Sequence, residues 1–333
     1  MREVARLANV SAATVSRVLN GSTSVGEQHR RRVLDAIART DYRPNRLARN
    51  MRRQQAEMIG VVVPDIENPH FSEVVHVLED AAFRAGYRVL LCNSDETPGK
   101  QRAYLEMLAD ERVLGVIVSP ADRAGEGTQA LRDLEIPCVC FDRMIDHPDT
   151  DGVVCDNLEG LRRATEHLLW LGHTRIAYLG GRLDVETGAE RLEGYTIAMR
   201  AAGLLPFALN GGFRAEVARE AATSLLRMSR RPTALVVANN LMAVGALQAV
   251  RRAGLSIPND LAVIAVDDPP WAELLDPPLT TLAQPVRAIA DTAMTLMLER
   301  LEGKRTSPRK VVLPLELRVR ESCGTPSRYP DAA

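Results

Sequence analysis

The stretch VARLANVSAATVSRVLNG, residues 4–21, predicts two short helices joined by a tight turn through Asn9 and Val10. Ser11 is a good N-cap for the second helix, because its hydroxyl can accept a hydrogen bond from a backbone N–H two or three residues later. The apolar positions expected to pack on a small core are Val4, Ala5, Leu7 and Ala8 in the first helix and Val15, Val18 and Leu19 in the second. Such a pair of helices is common in α-rich domains and is also the unit that places a helix in a DNA groove.

The second helix is predicted to present small and polar groups on its outward face, together with one forked donor. These residues are Ala12, Ala13, Ser16 and Arg17. Such a surface can contact base edges in a major groove. Residues 1–57 contain 12 Arg against 5 acidic residues, a balance of +7, whereas the rest of the chain has 30 basic and 38 acidic residues, a balance of −8. A basic head on an acidic body is typical of a nucleic-acid-binding arm, although an arginine-rich solvated helix is the alternative.

The rest of the head predicts one more amphipathic helix and then a short one. Residues 27–39 form the first of these, with an apolar stripe of Val33, Leu34, Ile37 and Ala38. Residues 44–53 begin with a proline and are too short to be a stable helix without a partner surface. Their apolar face of Leu47, Ala48 and Met51 lies among arginines, which fits insertion into a minor groove. A plain linker between domains is the other interpretation.

Composition argues against several classes of protein. The five cysteines form no CxxC pair, which favours free thiols in a reducing cytoplasm over disulfides or zinc ligands. No signal peptide or long apolar run predicts export or membrane insertion. The sequence has no P-loop, no GxGxxG after a strand, no GxSxG and no HExxH, so neither an enzyme nor a cofactor is expected. His167 and His173 have no acidic or cysteine partner at the spacing of a metal site.

From residue 59 onwards, apolar strands alternate with amphipathic helices. The predicted strands are 59–63, 88–92, 115–119, 138–141, 152–155, 176–180, 234–238, 261–266 and 310–317. The predicted helices are 71–86, 101–111, 129–134, 158–171, 190–202, 214–228, 241–253 and 288–302. Continuous apolar strands between such helices indicate parallel sheets covered on both faces. Two sets of this kind predict an α/β core of two doubly wound subdomains that face a cleft.

These residues resemble the lactose-repressor family of bacterial regulators. The resemblance includes Val4-Ala5, Val10-Ser11 and TVSRVLN at 14–20 in the head, and Tyr42-Arg-Pro-Asn45 with Ala48 in a hinge. In the core it includes IGVVVPD at 59–65, Asn68-Pro69 with Phe71, IPND at 257–260, Thr280-Thr281 and Gln284-Pro285. It covers nearly the whole chain in the right order. It implies a transcription factor that dimerises, binds a palindromic operator and senses a small molecule between two subdomains of the periplasmic-binding-protein type.

Two positions depart from the pattern of the family. Family members lead into their first helix with Thr-Ile or Thr-Leu, of which at most Met1 remains here, so the helix begins frayed or the true start lies a few codons upstream. The family usually inserts a leucine from the hinge helix into the minor groove, and this chain has Met51 there. Methionine is apolar and adaptable, so it can also act as a wedge. The residues expected to contact DNA are Ser11, Ala12, Ala13, Thr14, Ser16, Arg17, Asn20, Tyr42, Asn45, Ala48 and Met51.

Polar residues that follow the predicted strands are candidates for binding a small molecule. Asp267, Asn239, Asp142-Arg143 and Asp156-Asn157 each follow a strand directly, and Arg191 offers a forked donor beside Thr187. With the positions that the resemblance adds, the effector-binding candidates are His70, Phe71, Arg143, Asp156, Thr187, Arg191, Phe213, Asn239 and Asp267. Family members bind sugars or purines there, and the mixture of Asp, Asn and Arg favours a sugar.

Simpler structural roles are open for several of these residues. Asp142 and Asp156 could serve simply as caps of the following helices. Arg191 could serve simply as an ion-pair partner, and His70 and Phe71 could be packing residues of the cleft. Trp170 and Trp271 are expected to be packing residues, and contact with a ligand is the alternative for Trp271, which lies near Asp267 in the sequence.

The sequence therefore predicts a cytoplasmic, ligand-responsive repressor that is nucleoid-associated when bound to DNA. We expect a helix-turn-helix head at 1–41, a hinge at 42–57, a core at 58–320 and a tail at 321–333. Subdomain 1 of the core would comprise about 58–156 and 286–314, and subdomain 2 about 157–285 and 315–320. The tail has no leucine heptads, so a homodimer and not a tetramer is expected. The ligand could be an inducer or a corepressor. The alternative is the solute-binding protein of a sugar transporter, which would need a signal peptide and has no use for a basic helical head.

Overall fold

The chain divides into two compact units, Met1–Ala56 and Glu57–Ala333. A computed structural model describes residues 2–19, 25–40, 58–145, 150–304 and 307–324. Among these residues, no helix combines the length and the apolar character needed to cross a bilayer.

The first unit contains three short helices, α1 Arg2–Ala8, α2 Ala12–Leu19 and α3 Glu27–Thr40. Asn9 makes the turn between α1 and α2 with a φ of 50°, in the left-handed region that asparagine tolerates well. Oγ of Ser11 accepts a hydrogen bond from the backbone N–H of Thr14 at 3.1 Å, which confirms the predicted N-cap.

The core of this unit is a small cluster of buried apolar residues: Val4, Ala5, Ala8, Val15, Val18, Val33 and Ala36. The predicted stripes were wrong at Leu7 and Leu34, whose exposed fractions are 43% and 53%, and at Ala38, which is also exposed. Each helix buries only one narrow face, and Leu34 lies about 100° around the helix axis from Val33. Ala36 lies on the buried face of α3 and packs in the core, where the sequence analysis expected Leu34.

The second unit is built on two six-stranded sheets. The strands of the first sheet are β1 Met58–Val63, β2 Arg88–Asn93, β3 Val116–Val118, β4 Cys138–Phe141, β5 Asp151–Cys155 and β11 Lys310–Leu313. The strands of the second are β6 Ile176–Gly180, β7 Phe207–Asn210, β8 Ala234–Val237, β9 Ala262–Val266, β10 Thr280–Ala283 and β12 Glu316–Arg318. Their orders are β11-β5-β4-β3-β1-β2 and β12-β10-β9-β8-β6-β7. All pairs are parallel except β10 with β12, which confirms the predicted doubly wound α/β class.

Helices connect the parallel strands and cover the sheets. They are α4 Pro69–Arg84, α5 Pro98–Asp110, α6 Glu126–Arg132, α7 Asn157–Trp170, α8 Glu186–Ala201, α9 Ala215–Leu226, α10 Asn240–Arg252 and α11 Val286–Leu301. The inner strands of both sheets are almost wholly buried, as in β1 and β9, because both faces of each sheet are covered.

The chain passes between the two sheets three times: from β5 to α7, from β10 to α11 and from β11 to β12. Residues 310–317 were expected to form one strand, but they form two strands in different sheets. Pro314 lies between these strands, and its lack of a backbone N–H fits the break. Three crossings keep the carboxyl ends of both sets of strands facing one cleft.

Two strands were not predicted from the sequence. β7 is the edge of its sheet and three of its four residues are exposed, so it has no apolar run to recognise. β10 begins with Thr280-Thr281, whose hydroxyl groups interrupt the hydrophobic pattern although both residues are buried.

Candidate ligand-binding cleft and DNA-binding helix

Thirteen residues enclose a closed cleft between the two sheets. They are Asp65, Asn68, His70, Phe71, Glu96, Asp142, Arg143, Thr187, Arg191, Phe213, Asn239, Asp267 and Gln284. Their free space is about 20 Å³, which is about what one water molecule needs. The polar side chains therefore satisfy mainly one another in this conformation.

The structure brings eight of the nine effector-binding candidates into this lining and leaves out Asp156. The side chain of Asp156 caps α7, where Oδ1 accepts a hydrogen bond from the backbone N–H of Glu159 at 3.1 Å. Because this oxygen is already bonded at the start of α7 and Asp156 lies outside the lining, the capping interpretation is favoured for Asp156. Asn239 also caps a helix, α10, and yet lies in the lining.

Backbone strain is concentrated around the cleft. Of the described residues other than glycine, seven have a positive φ. Five of them surround the cleft: Asp95 (54°), Glu96 (55°), Asp142 (62°), Phe213 (60°) and Asp267 (73°). Residues other than glycine persist in this region only where the surrounding structure holds them there, and such positions cluster at functional sites.

Arg191 extends from the first turns of α8 and is buried. Its Nε donates to Oδ1 of Asn157 at 2.7 Å, and its Nη1 donates to the carbonyl of Ala238 at 2.6 Å. No carboxylate of the described residues forms an ion pair with it. A buried guanidinium with only neutral acceptors retains donor capacity for a ligand.

Gly188, three residues before Arg191, allows the start of α8 to approach a neighbouring loop closely. A Cβ at Gly188 would lie 1.7 Å from the carbonyl oxygen of Arg182. Only glycine therefore lets the start of α8 pack directly against the loop after β6.

Asp267 is the centre of a second set of contacts. Its Oδ1 accepts from Nε2 of Gln284 at 2.7 Å, and its Oδ2 accepts from the backbone N–H and Nδ2 of Asn240 at 3.2 and 3.0 Å. Nδ2 of Asn240 also donates to Oδ1 of Asn68 at 2.8 Å, which links the two sheets.

His70 lies between two buried carboxylates. Its Nδ1 is 4.0 Å from Oδ1 of Asp267, and its Nε2 is 3.9 Å from Oδ1 of Asp142. Nε2 has no hydrogen-bond partner among the described residues. An unpartnered buried ring nitrogen is costly, so a group of a bound ligand can stabilise it here.

Arg143 and Glu96 form a bidentate ion pair in the cleft. Nη1 and Nη2 of Arg143 each lie 2.8 Å from a carboxylate oxygen of Glu96, and the guanidinium is 5.6 Å from the ring centroid of Phe213. Burial alone would raise the pKa of Glu96, but the guanidinium groups of Arg143, Arg182 and Arg214 outweigh that effect and lower it. Glu96 is therefore ionised in this site.

Further ion pairs join the two sheets at the rim of the cleft. Arg214, which precedes α9, donates to Asp95 at 2.6 Å and lies 3.4 Å from Asp65. Burial raises the pKa of Asp65 in spite of a hydrogen bond from the backbone of Glu67 and the charge of Arg214. The two sides of the rim are thus held together by ion pairs, which salt weakens where they are exposed to solvent.

An open depression of about 590 Å³ adjoins the cleft on the other side of His70, Asp267 and Gln284. Arg318 and Asp268 in its wall pair with each other at 2.5 Å, whereas Glu73, Arg287 and Asp291 form no ion pair among the described residues. The closed cleft is the stronger candidate for a ligand site, because its lining contains eight of the nine effector-binding candidates.

Sequence reasoning missed Glu96, Asp65, Asn68 and Gln284 as lining residues. Asp65 comes two residues after β1 and Glu96 three residues after β2, so the rule that selected Asp267 could have found both. Asn68 and Gln284 were recognised only as positions of the family pattern.

The helix proposed for base contact, α2, is described for part of its surface. Ser11, Ala13 and Arg17 are exposed, and Thr14 is half-buried with its hydroxyl 2.9 Å from that of Ser11. Ala12 and Ser16 belong to α2, but their side chains lie outside the described part of the chain. The other candidates, Asn20, Tyr42, Asn45, Ala48 and Met51, also lie outside the described residues.

Two family models match the chain. Residues 1–45 match the bacterial regulatory proteins of the lacI family, and residues 165–323 match a periplasmic binding protein-like domain. A helix-turn-helix head with a core of this kind defines a DNA-binding regulator that contains a ligand-binding module.

Comparison with known proteins agrees with this class. The HTH-type transcriptional repressor PurR of Aliivibrio salmonicida is 34% identical over 326 residues, 97% of this chain and 98% of that protein. The lac repressor dimer bound to operator and the anti-inducer ONPF has a TM-score of 0.85 and 28% identity, over 97% of this chain and 98% of its own. The CelR–cellobiose complex has a TM-score of 0.74 and 31% identity, over 96% and 98%. The chain belongs to the lacI family of bacterial regulatory proteins, and it is a transcriptional regulator.

Proposed function

We propose that this regulator represses transcription by binding a palindromic operator as a homodimer, and that a small polar molecule in the cleft controls its affinity for DNA. The observation that carries this proposal is the buried Arg191, which has no ion-pair partner among the described residues and lies with the unpartnered Nε2 of His70 in one closed cleft. A polar ligand that enters the cleft would satisfy both groups.

The effector is proposed to be a sugar or a related polar metabolite, bound by His70, Phe71, Arg143, Thr187, Arg191, Phe213, Asn239 and Asp267. Asp267 and Arg191 supply an acceptor and a donor suited to hydroxyl groups, and the aromatic rings offer flat apolar faces. The CelR relative binds cellobiose. A nucleobase is the second candidate, because stacking on Phe71 or Phe213 would suit a planar ring as well.

The DNA contacts are proposed to come from α2 and from the hinge. In the head they would involve Ser11, Ala12, Ala13, Thr14, Ser16, Arg17 and Asn20, with Arg17 as the forked donor to a base. In the hinge they would involve Tyr42, Asn45, Ala48 and Met51. The proposed boundaries are 1–41 for the head, 42–57 for the hinge and 58–320 for the core.

Coupling between the cleft and the DNA requires that the ligand bind the open and closed forms of the core with different affinity. Ion pairs at the rim hold the sheets together here, so a ligand that changes their separation would change the spacing of the paired heads. This scheme allows either direction of control: an inducer that releases DNA or a corepressor that promotes binding. The protein would act in the cytoplasm, and no catalytic step is proposed.

Two experiments on the full chain test the proposal. Selection from a random DNA pool should enrich a site with two-fold symmetry. A thermal-shift screen of sugars and nucleobases should then find compounds that raise the melting temperature, and their binding should be weaker in Asp267→Ala. A screen in which stabilising compounds bind Asp267→Ala as well as the unmodified protein would remove the cleft from the proposal.

A further inference from the structure

Two arginines bind one carboxylate in the cleft. Arg143 binds both oxygens of Glu96 at 2.8 Å, and Nη1 of Arg182 lies 3.3 Å from Oε2 and donates to the backbone carbonyl of Glu96 at 2.6 Å. Arg182 also donates from Nε to Oδ1 of Asp184 at 2.9 Å, and the nearby Arg214 forms its ion pairs with Asp95 and Asp65 instead. Arg182 and Arg214 belong to the second sheet's loops, whereas Glu96 and Arg143 belong to the first. Glu96 is therefore the carboxylate on which charges from both halves of the core meet.

The backbone directs Glu96 into this position. Asp95 and Glu96 are consecutive residues with φ angles of 54° and 55°, in the segment between β2 and α5. Neither residue is a glycine, so this conformation is held by its surroundings. The side chain of Glu96 lies in the lining of the cleft, where it is about one-tenth exposed.

The contacts of Glu96 are those that a dissolved anion would make. Arginine binds carboxylate and phosphate groups through two parallel N–H···O bonds, as Arg143 binds Glu96. Phe213 supports the guanidinium from one face. If Glu96 were absent, the remaining carboxylate within ion-pair distance of Arg143 among the described residues would be Asp142, whose Oδ2 lies 3.4 Å from Nε.

We propose that Arg143 and Arg182 form an anion-binding site that the carboxylate of Glu96 occupies in the closed cleft. The effector then carries a carboxylate or phosphate group that takes the place of the Glu96 side chain. This inference rests on the proposed function, because it assumes that the effector enters this cleft. It accounts for the small free space of the closed cleft, which is about that of one water molecule, because the Glu96 side chain fills the site.

Substitution Glu96→Ala tests the site directly, because the atoms removed correspond to acetate. In this variant, sodium acetate should raise the melting temperature saturably, by about 2 °C or more over sodium chloride at equal ionic strength. The unmodified protein should show no such rise, because Glu96 fills its site. The double variant Glu96→Ala with Arg143→Met should also show none. Inorganic phosphate is tested in parallel, and the larger of the two responses identifies the anionic group that the site prefers.

Two further variants keep the test decisive. Glu67→Ala removes an exposed carboxylate from the loop after the neighbouring strand, and it should respond to neither anion. Glu96→Gln keeps the size of the side chain without its charge, so acetate or phosphate should stabilise it more than the unmodified protein. This variant serves if Glu96→Ala does not fold. Equal responses to acetate, phosphate and chloride in both Glu96 variants would overturn the inference.

The outcome is separable from that of the proposed function, because DNA binding is measured on the same preparations. A protein that binds its selected DNA site, but whose Glu96 variants ignore both anions, overturns the anion site alone. Variants that respond to anions, in a protein that selects no DNA site, support the anion site and contradict the proposed function.

Discussion

Asn240 and Asn68 join the two sheets of the core by a buried hydrogen bond of 2.8 Å, from Nδ2 of Asn240 to Oδ1 of Asn68. Oδ1 of Asn68 also caps α4, since it accepts the backbone N–H of His70 at 3.0 Å. The same Nδ2 donates to Asp267 at 3.0 Å. One amide therefore connects a helix start in the first sheet's half with a candidate ligand residue in the second.

Asn240→Ala should lower the free energy of unfolding by about 1–3 kcal/mol, because oxygens of Asn68 and Asp267 lose a donor while they remain buried. Urea unfolding of the full chain measures the change. Asn210→Ala is the matched control, since Asn210 is exposed and its Oδ1 accepts only the nearby N–H of Gly212 at 2.8 Å. Equal losses in the two variants would show that the bond between the sheets adds nothing particular.

Arg17→Ala should weaken binding to the selected DNA site by about 1–3 kcal/mol if Arg17 makes one bidentate base contact. The loss should be smaller on unrelated DNA at the same salt concentration. Arg39→Ala, at the end of α3, removes an equal charge from another helix of the head and should not discriminate between DNA sequences. A uniform loss for Arg17→Ala would make it a phosphate contact.

Asp267→Ala and Arg191→Ala should each weaken effector binding by a factor of about 10 to 150, the effect of losing one charged hydrogen bond. Titration calorimetry with the effector found in the screen measures this loss. Asp156→Ala should leave effector affinity unchanged and instead lower stability by about 1 kcal/mol, because Asp156 caps α7. Unchanged affinity in both cleft variants would refute the pocket assignment.

The same variants distinguish the two directions of control. If the effector is an inducer, ligand-free operator binding should survive in Asp267→Ala, since this residue does not lie in the head. If it is a corepressor, operator binding should fail, because the DNA-competent state would not be populated.

Asp268 should make stability depend on acid pH. Burial alone would raise its pKa, but hydrogen bonds from Arg320, Thr281 and Arg318 lower it from 3.8 to about 2. The stabilisation is complete above the unfolded value of 3.8 and is lost as the pH falls towards 2. With allowance for solvent around Arg318, Asp268→Asn should cost about 1–2 kcal/mol at neutral pH, and the difference should shrink between pH 4 and pH 2. Unfolding curves across this range test the sign, and a difference that grows in acid would contradict it.

The strands and helices of the core could be predicted because their apolar runs are continuous, as in β1 and β9. β7 could not, because an exposed edge strand has no such run. The positions of Asp267 and Arg143 followed from the rule that ligands bind at the carboxyl ends of parallel strands.

The partners of these residues could not be predicted. The hydrogen bond between Asn240 and Asn68 joins positions 172 residues apart, and no local pattern signals it. Glu96 follows β2 by three residues and could have been selected as Asp267 was, but its ion pair with Arg143, 47 residues away, could not be predicted. The positive φ angles of Asp95 and Glu96, which accompany this contact, are not visible in the sequence either.

The most direct test of the account is the affinity of the full chain for its selected DNA site, measured at one salt concentration with and without saturating effector. A coupling free energy of about 1–3 kcal/mol should change that affinity by a factor of about 5 to 150, and DNA should change effector affinity by the same factor. A symmetrical DNA site whose affinity shifts in this way, with the shift lost in Asp267→Ala, is the expected result. The same affinity for DNA with and without bound effector would contradict the account.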